Sequence, residues 1–352
     1  MSDPRVRVSA SSLADFLCRL YAAAGLPAGD AAACAAQTVD AELRGVASHG
    51  CVRTSVFIER LAHGTVNPTP TVQTITDLSG YALLDGDRGM SAVGGRRAMD
   101  VAMTKATANG IGAAAVRRVS HTGHVGYFAA MALERGMIAI VASSAAANLA
   151  PWGGAERLVG NNPIAFAIPS DAPFPLVFDM ATSKVARGWV LLAAAAGEPI
   201  PDGWALDAAG RPTTDAQIAA AGTMLPLGEH KGAGLALMLG FLTNALTGNA
   251  PEAEQADWLA VDREFLLSLL CIVIDPRQAL GAGYASAVGA TVRRLKASRL
   301  AEGFDEVRIP GEGSARRAAD ALARGLALRP ALLAELDGLA TRLGVPPLDA
   351  PS

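Results

Sequence analysis

The stretch Asn109-Gly110-Ile111-Gly112 stands between a helical segment, Arg97 to Ala108, and a short apolar run, Ala113 to Val116. A dinucleotide-binding turn of the common G-x-G-x-x-G kind follows a strand and opens a helix. Here the order is reversed. The stretch therefore predicts a helix that ends on a glycine C-cap and hands over to a strand. No Walker A sequence is present either. A nucleotide bound by this chain is held without a Rossmann turn.

Outward from this point the chain divides by texture. Residues 11–26 read as an amphipathic helix, with Leu13, Phe16, Leu17 and Leu20 at helical spacing behind Ser11-Ser12. Asp30 is expected to cap a second helix, Ala31 to Leu43, and Val52 to Leu61 reads as a third. β-Branched alternation over 71–85 marks the change to strands. The runs Ile138 to Val141, Ile164 to Ile168, Leu176 to Phe178 and Ile272 to Ile274 are bounded by Gly, Pro, Asn or Asp, as strands are. An apolar helix is expected over 232–246, a polar surface loop over 249–257, and closing helices near 284–302, 313–325 and 329–343. The expected fold is α/β (α+β), with a sheet unit inserted into a helical unit made by both chain ends. The division reads as 1–70 plus 236–352 mainly helical, and 71–235 as the α/β cofactor-binding part.

Composition narrows the function. The 352 residues are 51% hydrophobic and 18% charged, as in a well-buried globular enzyme. The 30 basic and 33 acidic side chains show no basic run, which speaks against nucleic acid. Cys18, Cys34, Cys51 and Cys271 form no CxxC pair and no zinc spacing. They fit a reducing compartment. The polar start, Met1 to Ser9, lacks an apolar signal core, and Val190 to Ala196 is too short to cross a bilayer. The expected location is cytoplasmic, without metal or membrane.

Three polar groupings carry chemistry. Ser48, His49 and Arg53 form the first. A substrate carboxylate needs a two-pronged cation, which Arg supplies, and a ketone becoming an alcohol needs a proton, which His can give. His49 and Arg53 are four apart and would share a helix face. The same residues also read as a plain helix start with Ser48 as N-cap. His121 and His124, in Ser120-His121-Thr122-Gly123-His124-Val125-Gly126, have no third metal ligand nearby and suit a loop against cofactor or substrate. His230-Lys231, before an apolar helix, would oppose the helix dipole unless an anion binds there. The segment Pro310-Gly311-Glu312-Gly313-Ser314-Ala315-Arg316-Arg317 reads equally as a phosphate site at a helix N-terminus or as an ordinary capped helix.

Several stretches together resemble the malate/L-lactate dehydrogenase family with a non-Rossmann fold. They are Gly45 to Gly50, Gly64 to Pro68, Ser120 to Gly123, Ala150 to Gly154, Gly160 to Ala165, Asp179 to Ser183, Pro201 to Asp207, Pro212 to Asp215, Leu225 to Gly228, Lys231-Gly232 and Pro310 to Glu312. They lie in the family's order and span nearly the whole chain. The resemblance implies a largely antiparallel sheet, a homodimer, and NAD or NADP held in an unusual mode. It implies His49 as proton donor with Ser48 as relay partner, His121 as a second candidate acid/base, and Arg53 as carboxylate ligand. Cofactor contacts are implied at His121, Thr122, Gly123, His124 and Val125, at Asp179, Met180 and Ala181, at His230 and Lys231, and at Pro310, Gly311, Glu312 and Arg316.

Two substrate-side positions depart from the family. Asn161 stands where Thr is common, and Trp189 where relatives carry Lys or a carboxylate. Trp cannot relay a proton as the imine-reducing branch requires. The expected activity is hydride transfer between nicotinamide and C2 of a small 2-oxo or 2-hydroxy acid. A cyclic imino acid reductase of the Δ1-piperideine or pyrroline-2-carboxylate type is the alternative, and a silent binding subunit the third reading.

Overall fold

The computed structural model describes residues 5–348. The chain opens with β1 (Val6–Val8), α1 (Ala10–Ala23), α2 (Ala28–Leu43) and α3 (Thr54–Ala62). It continues through β2 (Gln73–Asp77), β3 (Tyr81–Asp85), α4 (Ser91–Asn109), β4 (Ile111–Val119), α5 (Gly126–Met131) and β5 (Ile138–Ser143). Next come β6 (Ala147–Leu149), β7 (Val159–Gly160), β8 (Ile164–Ile168), β9 (Leu176–Met180) and α6 (Arg187–Ala196). After β10 (Ala205–Leu206), β11 (Pro212–Thr213), α7 (Ala216–Ala221) and β12 (Thr223–Met224) comes α8 (His230–Gly240). β13 (Leu267–Ile274), α9 (Arg277–Leu280), α10 (Gly283–Lys296), α11 (Glu312–Arg324), β14 (Leu326–Leu328) and α12 (Pro330–Leu343) complete it.

The handover at 109–112 is the one the glycines predict. Gly110 caps α4 in the left-handed region, φ +81°, and donates its N–H to Ala106 O. Gly112 lets β4 lie directly on α4, since a Cβ there would sit 2.4 Å from Ala102 O and 2.5 Å from Ala106 N. Both obstacles are backbone and cannot swing aside. Gly112→Ala is therefore expected to destabilise by about 1–3 kcal/mol, read as a drop of a few degrees in Tm. An unchanged Tm would refute the close approach.

The main sheet has seven strands in the order β2-β3-β4-β13-β5-β8-β9. Only β3 and β4 pair in parallel; the other neighbours are antiparallel. β13 lies at its centre, and Leu269, Cys271 and Val273 on it are fully buried. The sequence showed only its last three residues, because a strand buried on both faces does not alternate. A cut at residue 235 would part β13 from the sheet it centres. A second, five-stranded sheet, β11-β10-β12-β6-β7, is made of two- and three-residue strands too short to leave a pattern.

The two chain ends share a core. Leu13, Phe16, Leu17 and Leu20 of α1 are fully buried, in one cluster with Leu332, Leu336 and Leu339 of α12. Antiparallel β1 and β14 join the ends further. Several boundaries differ from expectation. Ser9, not Ser11, caps α1, its Oγ accepting from Ser12 N at 3.0 Å. Asp30 does not cap α2; the helix starts at Ala28 behind Pro27, and Asp30 lies in its first turn. α4 begins six residues before Arg97, at Ser91. Its early glycines hid that turn, and Gly95 is there because the Phe128 ring occupies its side-chain space. α8 extends through one π-helical turn, Phe241–Ala245. No helix among the described residues is long and apolar enough to cross a membrane.

Candidate active site

Ser48 and His49 do not start an α-helix. They sit in a 3-10 turn, Ala47–His49, followed by a second, Cys51–Arg53. Gly50, at φ −91° and ψ −141°, separates the two turns. Glu42 Oε1 secures the bend by accepting from Cys51 N at 2.8 Å. His49 and Arg53 thus meet by a different route from the shared helix face. Arg53 Nε donates to Ser48 O at 2.7 Å, curling the guanidinium back over the first turn. Ser48 Oγ lies 2.9 Å from His49 Nδ1, so the hydroxyl orients the imidazole.

His121 arrives from the loop between β4 and α5. Its ring centroid is 5.7 Å from that of His49, and Phe57, Trp258 and Phe265 enclose it at 6.1–6.2 Å. Gly123 N donates to His121 Nδ1 at 3.0 Å, which assigns the proton of the neutral ring to Nε2. The guanidinium of Arg53 stacks on Trp258, 3.5 Å from the ring centroid. Arg53 Nη1 is buried and has no hydrogen-bond partner among the described residues. Trp258, Phe57 and Phe265 were not legible as site residues; a lone tryptophan just past a polar loop was the available signal.

The charges form a consistent pattern. Burial and then Arg53 push His49 down to about 3. Burial, Arg53 and His49 hold His121 well below the ordinary imidazole range. Burial lowers Arg53 to about 10, so it stays cationic at neutral pH. Two neutral imidazoles therefore flank an uncompensated cation, which is a site for an anion. His124 faces elsewhere, with Nε2 3.1 Å from Asp40 and Nδ1 3.8 Å from Asp179. Burial alone would lower its pKa, but the two carboxylates outweigh burial and raise it.

These shifts have a sign in stability. His49 and His121 protonate in the unfolded chain near pH 6.5 but not in the fold. They cost nothing above that pH and destabilise as pH falls from 6.5 towards their lowered values. His124 acts oppositely: its contribution is complete below 6.5 and fades as pH rises through its raised pKa. The pair outweighs the single group, so Tm of the free protein is expected to fall by a few degrees between pH 7 and pH 5. Scanning calorimetry of wild type and His49→Gln checks this: an equally steep decline in the variant would exclude His49 as a source.

The remaining expected residues fall along one path. Gly126 N donates to Asp179 Oδ2 at 2.8 Å, joining the His121 loop to the end of β9. Thr122 Oγ1 accepts from Ser143 Oγ at 3.0 Å. Val125 is fully buried in the sheet core. Met180 and Ala181 are half-buried. Beyond them, Leu227 N donates to Thr182 O and Thr182 N to Asn161 O, which sets Asn161 and the 226–231 segment beside the strand end. His230 and Lys231 are exposed in the first turn of α8, behind Glu229 at φ +60°. Such a value is uncommon outside glycine and clusters at functional sites. Trp189 stands 61% exposed on α6.

The Pro310 to Arg316 segment lies at the far end of β9. The close approach of Pro175 O leaves Gly311 no room for a Cβ. Arg316 is not free for phosphate: it pairs with Glu306 at 2.8 Å and with Glu312, and Glu312 also pairs with Lys296 at 2.8 Å. Both arginines lie in the second turn of α11, past the helix N-terminus. A groove of about 710 Å3 opens here, lined by Phe174, Arg293, Lys296, Glu312 and Arg316, away from His49 and Arg53.

A cation with an unused Nη1 beside two imidazoles, inside a non-Rossmann α/β fold, fits an oxidoreductase of hydroxy and oxo acids. Residues 8–337 match the malate/L-lactate dehydrogenase family. The chain is 34% identical to a malate dehydrogenase of Pyrococcus abyssi over 98% of its length and 97% of the relative's. It is 42% identical to a (2R)-3-sulfolactate dehydrogenase (NADP(+)) of Chromohalobacter salexigens over 64% of its length and 68% of that protein's. The solved sulfolactate dehydrogenase of Methanocaldococcus jannaschii superposes with a TM-score of 0.90 at 33% identity, covering 96% of this chain and 98% of the other. The protein belongs to the malate/L-lactate dehydrogenase family. It is a dehydrogenase or reductase acting on CH–OH or C=N groups with a nicotinamide cofactor.

Proposed function

We propose that this enzyme interconverts a small 2-oxo acid and its 2-hydroxy acid with NAD or NADP. Arg53 carries the reading: a half-buried, charged guanidinium whose Nη1 is buried and unused suits one carboxylate oxygen or two. The bound carboxylate neutralises Arg53 and so raises the proton affinity of His49, which gives its proton to the C2 oxygen. Ser48 Oγ holds His49 in orientation, and His121 supports the same oxygen from the aromatic side. Phe57, Trp258 and Phe265 keep water from the reacting carbon.

The residues fit a nicotinamide nucleotide. Asn148 Oδ1, Thr182 Oγ1 and Ser183 Oγ are buried without hydrogen-bond partners among the described residues, as a polar ligand would require. The cofactor supplies or accepts the hydride. Thr122, Gly123, His124 and Asp179 to Ala181 would flank it, with His230 and Lys231 facing its phosphates. The Pro310 to Glu312 turn would form the far edge, with Arg316 held by its acidic partners.

The cofactor part would consist of residues 71–235 together with β13, and the helical part of 1–70 with the rest of 236–352. The enzyme would act in the cytoplasm as a homodimer. Exposed Met238, Phe241, Leu242 and Leu246 along one helical stretch offer an apolar face for the second copy. Light scattering should give twice the 35.9 kDa of one chain. The decisive assay mixes protein, NADH or NADPH and a panel of 2-oxo acids. Loss of the reduced-nicotinamide absorbance is expected with at least one; none with any, or turnover of cyclic imines alone, would overturn the reading.

A further inference from the structure

We propose that Trp258 is a positioning residue that sets the plane of Arg53 and thereby the enzyme's selectivity for carboxylate substrates. This rests on the 2-oxo acid reading of the same site. Two contacts fix the guanidinium: Ser48 O accepts from Nε, and the indole face lies 3.5 Å from Cζ. With Nε held and Cζ against the indole face, the guanidinium has little freedom to turn, and Nη1 stays buried and unpartnered among the described residues. An aromatic face does what an acidic partner could not. It attracts and orients the cation without neutralising it, so the charge remains for an incoming anion. Among the described residues no carboxylate pairs with Arg53, whereas Arg44, Arg117, Arg187 and Arg277 each have one.

The loop bearing Trp258 is held for this task. Trp258 belongs to no helix or strand. Arg60, 1% exposed, reaches under the loop, and its Nη2 donates to Trp258 O and Ala260 O, both at 2.9 Å. Thr65 Oγ1 donates to Val261 O at 2.8 Å. On the other side, Arg187 of α6 pairs with Asp257 at 3.0 Å. The backbone is thus anchored on both sides of Trp258. The fold keeps Nε and Nη1 of Arg60 buried without hydrogen-bond partners among the described residues, an unfavourable arrangement that the aromatic face of Phe265, 4.9 Å away, partly offsets. The same indole borders His121 at 6.2 Å, so one side chain registers the carboxylate cation against the imidazole.

The test uses Trp258→Leu and Trp258→Phe, each loaded with whichever reduced nicotinamide nucleotide the wild type binds. The probe is oxamate, an unreactive 2-oxo acid isostere, titrated by calorimetry beside steady-state kinetics. Trp258→Leu is expected to weaken oxamate about 10-fold and to raise KM in step. Any fall in kcat should be smaller than the rise in KM, and Trp258→Phe should restore most of the affinity because the aromatic face returns. Wild-type affinity in Trp258→Leu overturns the proposal. So does a Phe variant as weak as the Leu variant, a kcat that falls with Tm at unchanged KM, or no oxamate binding to the wild type. A wild type that binds oxamate through Trp258 yet reduces no 2-oxo acid sinks the proposed function and leaves the role of Trp258 standing.

Discussion

Arg53→Met is expected to lower kcat/KM for a 2-oxo acid by about 10³-fold, with nicotinamide nucleotide affinity changed less than about threefold. The substitution keeps much of the side-chain volume against Trp258 but removes the cation proposed to hold the carboxylate. The loss is large because the partner anion would be desolvated and unpaired in an aromatic enclosure. Arg53→Lys should recover little, since an ammonium has neither the fork nor the flat face that stacks. A second consequence follows from the electrostatics. Arg53 helps hold His49 and His121 neutral, so its removal should move the imidazole titration in the pH–rate profile upward. Near-normal kcat/KM in Arg53→Met would show that the carboxylate binds elsewhere.

His49→Gln is expected to reduce kcat by about 10²- to 10⁴-fold with a small change in KM, the pattern for a lost proton donor. Gln retains a hydrogen-bonding group of similar reach, so Ser48 keeps a partner. His121→Gln should act mainly on KM, because His121 lies in the aromatic cage and its Nδ1 is taken by Gly123. Stopped-flow measurement of the single hydride-transfer step separates chemistry from product release. If His121→Gln carries the loss in kcat and His49→Gln does not, the two histidines exchange roles. If neither does, proton transfer runs through water.

Much of this site was legible because its chemistry needs particular residue types in short stretches. Ser48, His49 and Arg53 lie within six residues, and a 3-10 bend brings together what an α-helical face was expected to align. The aromatic enclosure was not legible. Phe57, Trp258 and Phe265 come from segments about 200 residues apart and look like ordinary core or loop residues until the chain folds. His124 shows the converse case. Its place in a polar loop suggested cofactor contact, and nothing local announced that Asp40 and Asp179 would flank it as an internal tie.

The sequence alone determined the order helix, Gly110, strand, and with it the absence of a Rossmann turn. A left-handed cap and a glycine against backbone are local demands that few other residues meet. It also placed Ser48, His49 and Arg53, the residues proposed for the proton and the carboxylate, within one short stretch. Only the tertiary structure decided that β13 centres the sheet and that Arg316 is tied to Glu306 and Glu312. It alone decided that an indole, not a carboxylate, faces Arg53. Those outcomes depend on contacts between distant segments, and burial and charge pairing are settled only when the segments meet.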